Sequence, residues 1–159
     1  MSFGTGHHET TFLMSQELFD LDLSEKSVMD MGCGTGVLAI ISKKLGAAYV
    51  EGVDIEEWAF ENSLENGLLN DVSEVKFFQG DSDLIVGKSF DVILANINRN
   101  ILLRDMQRYS NALSKNGFLL LSGFYTTDIE VIIESGKKSG LNFVHSRSKN
   151  GWAMVQLTK

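Results

Sequence analysis

The chain has 159 residues, with 21 acidic against 14 basic side chains and a formal net charge of −7. That length suits one domain with a sizeable core, and the acidic balance argues against tracking a nucleic-acid backbone, which needs clustered Lys and Arg. No apolar run approaches the roughly 20 residues that cross a bilayer, and no signal-peptide pattern opens the chain. The single cysteine, Cys33, excludes an intrachain disulfide and is compatible with a reducing cytoplasm.

In chain order, Phe3 to Thr11 is a Gly/Thr-rich stretch. It reads either as a loop whose hydroxyls and N–H groups cover a ligand carboxylate or as a frayed terminus. Thr10 to Phe19 reads as an opening helix with Thr10 or Thr11 as N-cap. Val28 to Met31 is a strand, and Val37 to Leu45 a helix stopped by Gly46. Tyr49 to Val53 is the second strand, followed by a helix from Glu56 to about Asn66. Glu74 to Gln79 and Phe90 to Ala95 supply strands three and four. Ile101 to Leu113 is helical and Phe118 to Ser122 is a buried fifth strand. A T-x-x-E capping box, Thr127 to Glu130, opens a helix ending near Gly140. Leu141 to Ser148 and Gly151 to Thr158 form a closing antiparallel pair joined by Lys149-Asn150. Strands alternating with helices predict an α/β, Rossmann-like fold with a mostly parallel sheet.

The segment Asp30-Met31-Gly32-Cys33-Gly34-Thr35-Gly36 joins the first strand to the first crossover helix. Glycine permits a sharp turn and close backbone approach by a ligand at a helix N-terminus. Asp54, closing the second strand, is placed to accept hydrogen bonds from both hydroxyls of a ribose. A dinucleotide clamp wants G-x-G-x-x-G/A, whereas here the glycines are Gly32, Gly34 and Gly36, with β-branched Val37 next. The spacing therefore favours S-adenosylmethionine over a dinucleotide or a purely structural turn. Asp30 is expected to orient the loop or meet the cofactor's ammonium group. Asp81, just past strand three, either accepts from an adenine amino group or serves as a local cap. Asn96-Ile97-Asn98, past strand four, is expected to present acceptors to an incoming amine. Gly32, Asp54, Asp81 and Asn96 all fall past carboxyl ends of strands, where open sheets of this kind bind ligands.

Together Phe-Gly-Thr-Gly-x-His-x-Thr-Thr, Asp-x-Gly-Cys-Gly-Thr-Gly-x-Leu-Ala-Ile, Lys-Leu-Gly-Ala-Ala, Asp54-Ile55 and Ala-Asn-Ile resemble the ribosomal protein L-eleven methyltransferase family (PrmA type), over essentially the whole chain. The resemblance implies a class I methyltransferase sheet of order 3-2-1-4-5-7-6 with its last strand antiparallel. It also implies S-adenosylmethionine as cofactor, and methylation of the α-amine and lysine amines of a basic large-subunit ribosomal protein. Carried over by position, cofactor contacts fall on Thr11, Gly32, Asp54 and Asn96, with Thr10, Asp30, Gly34, Gly36, Ile55 and Asp81 around them. Asn96, Ile97 and Asn98 are the expected catalytic stretch. Glu9, His7 and Asn98 depart from the family's usual proline, small residue and leucine. The family carries a small recognition domain before Phe-Gly-Thr-Gly, so a chain with Met1 two residues before Phe3 is expected to be the isolated catalytic domain.

The implied chemistry is in-line attack of a neutral amine on an activated methyl group, with alignment as the protein's main contribution. A lysine amine gives up its proton at pH 7 at a cost of roughly 4.6 kcal/mol, an α-amine at about 1.4 kcal/mol. No general base stands in Asn96–Asn98, so the proton is expected to leave to water. His7-His8-Glu9 lacks a second ligand cluster, so no metal is expected. Cys33 reads as a small filler, His145 as an edge residue, and Trp58 as a helix-packing side chain or an adenine neighbour. The alternatives are a methyltransferase of a small molecule or glutamine amide, although Asn-Pro-Pro-Tyr is absent, and a non-catalytic cofactor-binding module.

Overall fold

The computed structural model describes residues 7–159. Seven strands form one sheet in the order β3-β2-β1-β4-β5-β7-β6: β1 Ser27–Met31, β2 Tyr49–Asp54, β3 Lys76–Gln79, β4 Phe90–Asn96, β5 Leu113–Tyr125, β6 Asn142–Lys149 and β7 Trp152–Thr158. All pairings from β3 to β5 are parallel, and β7 runs antiparallel to both β5 and β6. The helices are α1 His7–Asp20, α2 Val37–Lys44, α3 Glu57–Leu69, α4 Arg99–Ala112 and α5 Ile129–Lys138. Among the described residues no helix is long and apolar enough to cross a membrane.

Strand alternation divides the core between the two faces. Val28, Val92, Leu94, Leu120 and Met154 pack with Leu13, Met14 and Leu18 of α1 and Leu38 and Ile40 of α2. Met29, Met31, Ile93, Leu119, Leu121 and Val155 pack with Leu102, Met106 and Tyr109 of α4 and Ile132 of α5. Because the central strands are covered on both sides, their sequences are almost continuously apolar.

Helix ends follow the chain chemistry. After α2, Gly46 donates to Lys43 O and Ala47 to Ser42 O; after α5, Gly140 donates to Lys137 O and Leu141 to Gly136 O. Both are paired left-handed stops that satisfy the last carbonyls of the helix. The closing hairpin turns at Asn150 and Gly151, with φ of 51° and 83°, one residue later than Lys149-Asn150. Two successive positive φ values match the twist of a tight hairpin, and Asn-Gly tolerates them.

The largest departures from the sequence expectation lie at α1, at β5 and before α5. Helix α1 starts at His7, so Thr10 and Thr11 sit inside it and are not its N-caps; Glu9 in the first turn complements the helix dipole there. The remainder of the predicted opening loop, Phe3 to Gly6, lies outside the described residues. Strand β5 spans 13 residues, because Asn116 and Gly123 take positive φ and a register shift on each neighbouring strand absorbs the irregularity. The Thr127–Glu130 capping box does not form. A single tight turn at Thr126–Asp128 precedes α5, and Asp128 accepts from the Tyr125 N–H and from Arg99.

Helix α1 is tied to the edge strand β6 by charge. Buried Glu17 accepts from Arg147 Nε at 2.8 Å and lies 2.7 Å from His145 Nε2, and Arg147 also pairs with Asp20. His145 is thus on the edge strand, as its sequence position suggested, but holds a helix in place. Trp152 stacks on Tyr125 with ring centroids 4.3 Å apart.

Candidate active site

The carboxyl ends of β1 to β4 open into a cleft of about 380 Å³. Its walls include Met31 and Gly32 after β1, Asp54, Ile55 and Trp58 after β2, Gly80 to Ser82 after β3, Ile97 and Asn98 after β4, and Ile101, Arg104, Asp105 and Tyr109 of α4. Four segments far apart in sequence therefore meet where parallel strands leave their polar ends. Among the described residues no group of three or more His, Cys, Asp and Glu is arranged to hold a metal ion.

The glycine turn is held from behind. The N–H groups of Gly32 and Cys33 both donate to Val53 O, at 2.7 and 2.9 Å. Asp54 receives the N–H of Gly34 on Oδ2 and that of Glu56 on Oδ1, both at 2.9 Å. Each carboxylate oxygen has a second lone pair, so Asp54 fixes the turn and keeps acceptor capacity for a ligand hydroxyl. Gly32 has φ +71°, and a Cβ there would stand 2.3 Å from Cγ2 of Ile97. This glycine thus makes room for Ile97.

The stretch after β4 is shaped by a residue the sequence did not single out. Gly123 of β5 has φ +102°, and a Cβ on it would fall 2.1 Å from the carbonyl oxygen of Ile97. The Ile97 N–H donates to Ser122 O at 3.1 Å, so the turn lies directly on the β5 backbone. Asn98 serves as N-cap of α4, its Oδ1 accepting from the Ile101 N–H at 3.1 Å. Asn96 alternates with Val92 and Leu94 toward the face covered by α1 and α2, where its Oδ1 is buried without a partner.

Of the residues predicted to touch the cofactor, Gly32, Asp54, Ile55 and Asp81 line the cleft, while Thr10, Thr11, Asp30, Gly34, Gly36 and Asn96 stand outside its lining. Thr10 is buried, and Thr11 Oγ1 is a buried hydroxyl with no partner. Gly36 packs against Phe77 and Ser63. Asp81 accepts from the Asp83 N–H at 2.9 Å as a local cap and also lines the cleft. Trp58 is on the rim, 40% exposed. Cys33 is buried, and burial pushes its thiol far above the ordinary range, which keeps it an unreactive thiol.

Asp30 lies beneath the turn, on the side of α2. Helix α2 has no side-chain cap on Gly36, and the carboxyl of Asp30 instead meets the N–H of Ala39 in the first turn. Its Oδ2 is buried and unpartnered. Burial, reinforced by the Asp54 charge, pushes its pKa up to about 8. The folded chain therefore holds a proton there that the unfolded chain, near 3.9, has released. Folded stability should accordingly fall as pH rises from about 4 to about 8, by up to about 1.4 kcal/mol per unit, and level off on either side. Asp30→Asn removes this dependence. Urea unfolding at pH 5 and pH 7.5 should show the variant gaining on the parent chain at the higher pH, and an equal difference at both values would contradict a protonated Asp30.

The fold and its rim define a class I methyltransferase domain. A TehB-like SAM-dependent methyltransferase from Corynebacterium glutamicum shares the fold with a TM-score of 0.73 at 18% identity, over 92% of this chain and 88% of that one. The chain belongs to the ribosomal protein L11 methyltransferase (PrmA) family, whose model matches residues 1–159. Ribosomal protein L11 methyltransferases from Porphyromonas gingivalis and Bacteroides thetaiotaomicron are each 50% identical over 159 residues, 99% of this chain but 55% and 57% of theirs. A ribosomal protein L11 methylase from Lactobacillus delbrueckii subsp. bulgaricus superposes with a TM-score of 0.91 at 26% identity, over 97% of this chain and 80% of that one. The chain spans about half the length of the curated relatives it matches.

Proposed function

We propose that this chain is the methyl-transferring unit of an S-adenosylmethionine-dependent enzyme acting on amines of ribosomal protein L11. The observation that carries the reading is the convergence of Gly32, Asp54, Asp81 and Asn98 from four strand ends on one cleft, within a chain of this family.

The residues present fit the cofactor. A Cβ on Gly34 would meet nothing within 4 Å, so the turn offers an open backbone shelf, and Asp54 beside it retains lone pairs for two ribose hydroxyls. Asp81, Ile55 and Trp58 border the space for the base. The buried, unpartnered oxygens of Asn96 and Thr11 stand for the amino-acid end, on the face covered by α1. When bound, S-adenosylmethionine supplies an electrophilic methyl group on a positively charged sulfur. The incoming amine would meet the cleft wall at Ile97 and Asn98, held in register by the Ile97 backbone against Gly123. Of the carboxylates lining the cleft, Asp54, Glu56 and Asp81 belong to the ends of β2 and β3, away from the β4 end, and Asp105 is paired with Arg104. The amine proton therefore leaves to water.

Two measurements test the reading. Calorimetric titration with S-adenosylmethionine and S-adenosylhomocysteine should give saturable binding, and labelled methyl should appear on ribosomal protein L11. The single-turnover rate should rise with pH from 6 to 9, because the neutral fraction of an amine grows about tenfold per unit below its pKa. A flat profile would contradict proton loss to water.

A further inference from the structure

The α4 wall of the cleft carries an ion pair that the glycine turn and Asp54 leave unexplained. Arg104 and Asp105 are consecutive helical residues, whose side chains ordinarily diverge and do not face one another. Here Arg104 folds back onto its neighbour, donating from Nε to Oδ1 at 3.0 Å and from NH2 to Oδ2 at 2.9 Å. The Asp105 side chain is only 6% exposed while that of Arg104 is 64% exposed. A buried carboxylate thus anchors an exposed planar cation on a cleft wall. A guanidinium has five N–H groups; two are bound to Asp105, and the others have no acceptor among the described residues.

The opposite partner in this arrangement is Asp81, which lines the same cleft. Its Oδ1 is committed to the Asp83 N–H, and Oδ2 remains available. The charge of Asp81 reaches Arg104, adding to the stronger hold of Asp105 on its proton. The two rims are also bolted together. One turn below Arg104, Arg108 bonds Ser82 Oγ at 2.8 Å and pairs with Asp83 at 2.5 Å. The segment that carries Asp81 is therefore fixed against the helix that carries Arg104.

We propose that Arg104, oriented by Asp105, and Asp81 together form a donor–acceptor pair that selects adenine as the base of the cofactor. An adenine edge offers a ring-nitrogen acceptor beside an exocyclic amino donor, the complement of a guanidinium N–H beside a carboxylate oxygen. Hypoxanthine reverses both positions, placing donor against donor and acceptor against acceptor. In a partly desolvated cleft such a reversal is strongly disfavoured, because polar groups are left unpaired. Arg104 is a specificity-determining residue in this scheme, and Asp105 a positioning residue. The inference rests on the cofactor reading given above.

The test is a comparison of S-adenosylhomocysteine with its deaminated analogue S-inosylhomocysteine by calorimetry. The parent chain should prefer the adenine compound by roughly tenfold or more, the scale of a single unmatched polar contact. Arg104→Ala should bind S-adenosylhomocysteine about tenfold more weakly and lose most of the preference. Arg104→Lys, which keeps charge without the fork, should also lose it. Asp105→Asn should lower the ratio of the two affinities, a readout that a merely structural role would not move. Arg104→Ala leaves the buried Asp105 carboxylate without its cation and should melt below the parent, whereas Arg104→Lys keeps a charge there and should melt closer to it. Full retention of the preference in Arg104→Ala, or no preference in the parent chain, overturns the proposal. Failure of the parent to bind S-adenosylhomocysteine at all removes the cofactor reading instead.

Discussion

Asp54→Ala should weaken S-adenosylmethionine binding by about 1.5–3 kcal/mol, the range for hydrogen bonds to a charged group, which is roughly a tenfold to more than hundredfold rise in Kd. Two losses combine. The ribose hydroxyls would lose the acceptor proposed for them, and the N–H groups of Gly34 and Glu56 lose the carboxylate that fixes both ends of the turn. Asp54→Asn separates them, because its amide oxygen can keep one N–H bond while the charge is gone, and it should fall between the parent and Asp54→Ala. Titration calorimetry reads both variants, and an unchanged Kd in Asp54→Ala would remove Asp54 from the ribose site.

Gly123→Ala should cost about 3–5 kcal/mol of folding stability, since it combines a backbone conformation unsuited to a side chain with a collision that cannot be relieved by rotamer change. The obstructing atoms are the carbonyl oxygen and carbon of Ile97, at 2.1 and 2.7 Å from the added Cβ. For a chain of this size such a loss lowers Tm by roughly 10 °C or more. A melting curve matching the parent would show that β5 and the Ile97 turn are not in the contact described. Gly87→Ala provides a comparison: its φ is +83° but a Cβ meets nothing within 4 Å, so it should cost only the conformational part, about 1 kcal/mol.

The layout of the sheet was legible because buried parallel strands leave apolar runs and because Gly46 and Gly140 mark helix stops. The ends of β1 to β3 were equally legible, since glycines and acids in those positions have few other uses. What escaped notice depends on contacts between distant segments. Gly123 is an ordinary strand glycine in the sequence, and only the Ile97 backbone laid against it gives it a role. Asp30 reads as a rim residue by position, yet the alternation of β1 turns it toward α2, where it serves a helix that lacks its own cap. Asn98 looked like an altered acceptor and is the N-cap of α4. Arg104-Asp105 carries no signal in the sequence, because spacing rules assume that adjacent helical side chains point apart. Thr10 and Thr11 resemble caps in the sequence, yet α1 begins at His7, because residues before a cap-like pair can be helical too.

The position of β7 has a consequence for how the molecule is made. It leaves the ribosome after β5 and β6, yet it is the strand that lies between them. Until it arrives, β5 has an open hydrogen-bonding edge and β6 has nothing to pair with. Helix α1, whose Glu17 is matched by His145 and Arg147 of β6, lacks a settled seat for the same interval. Until β7 pairs, the nascent chain carries an exposed apolar edge of the kind that recruits chaperones or self-associates.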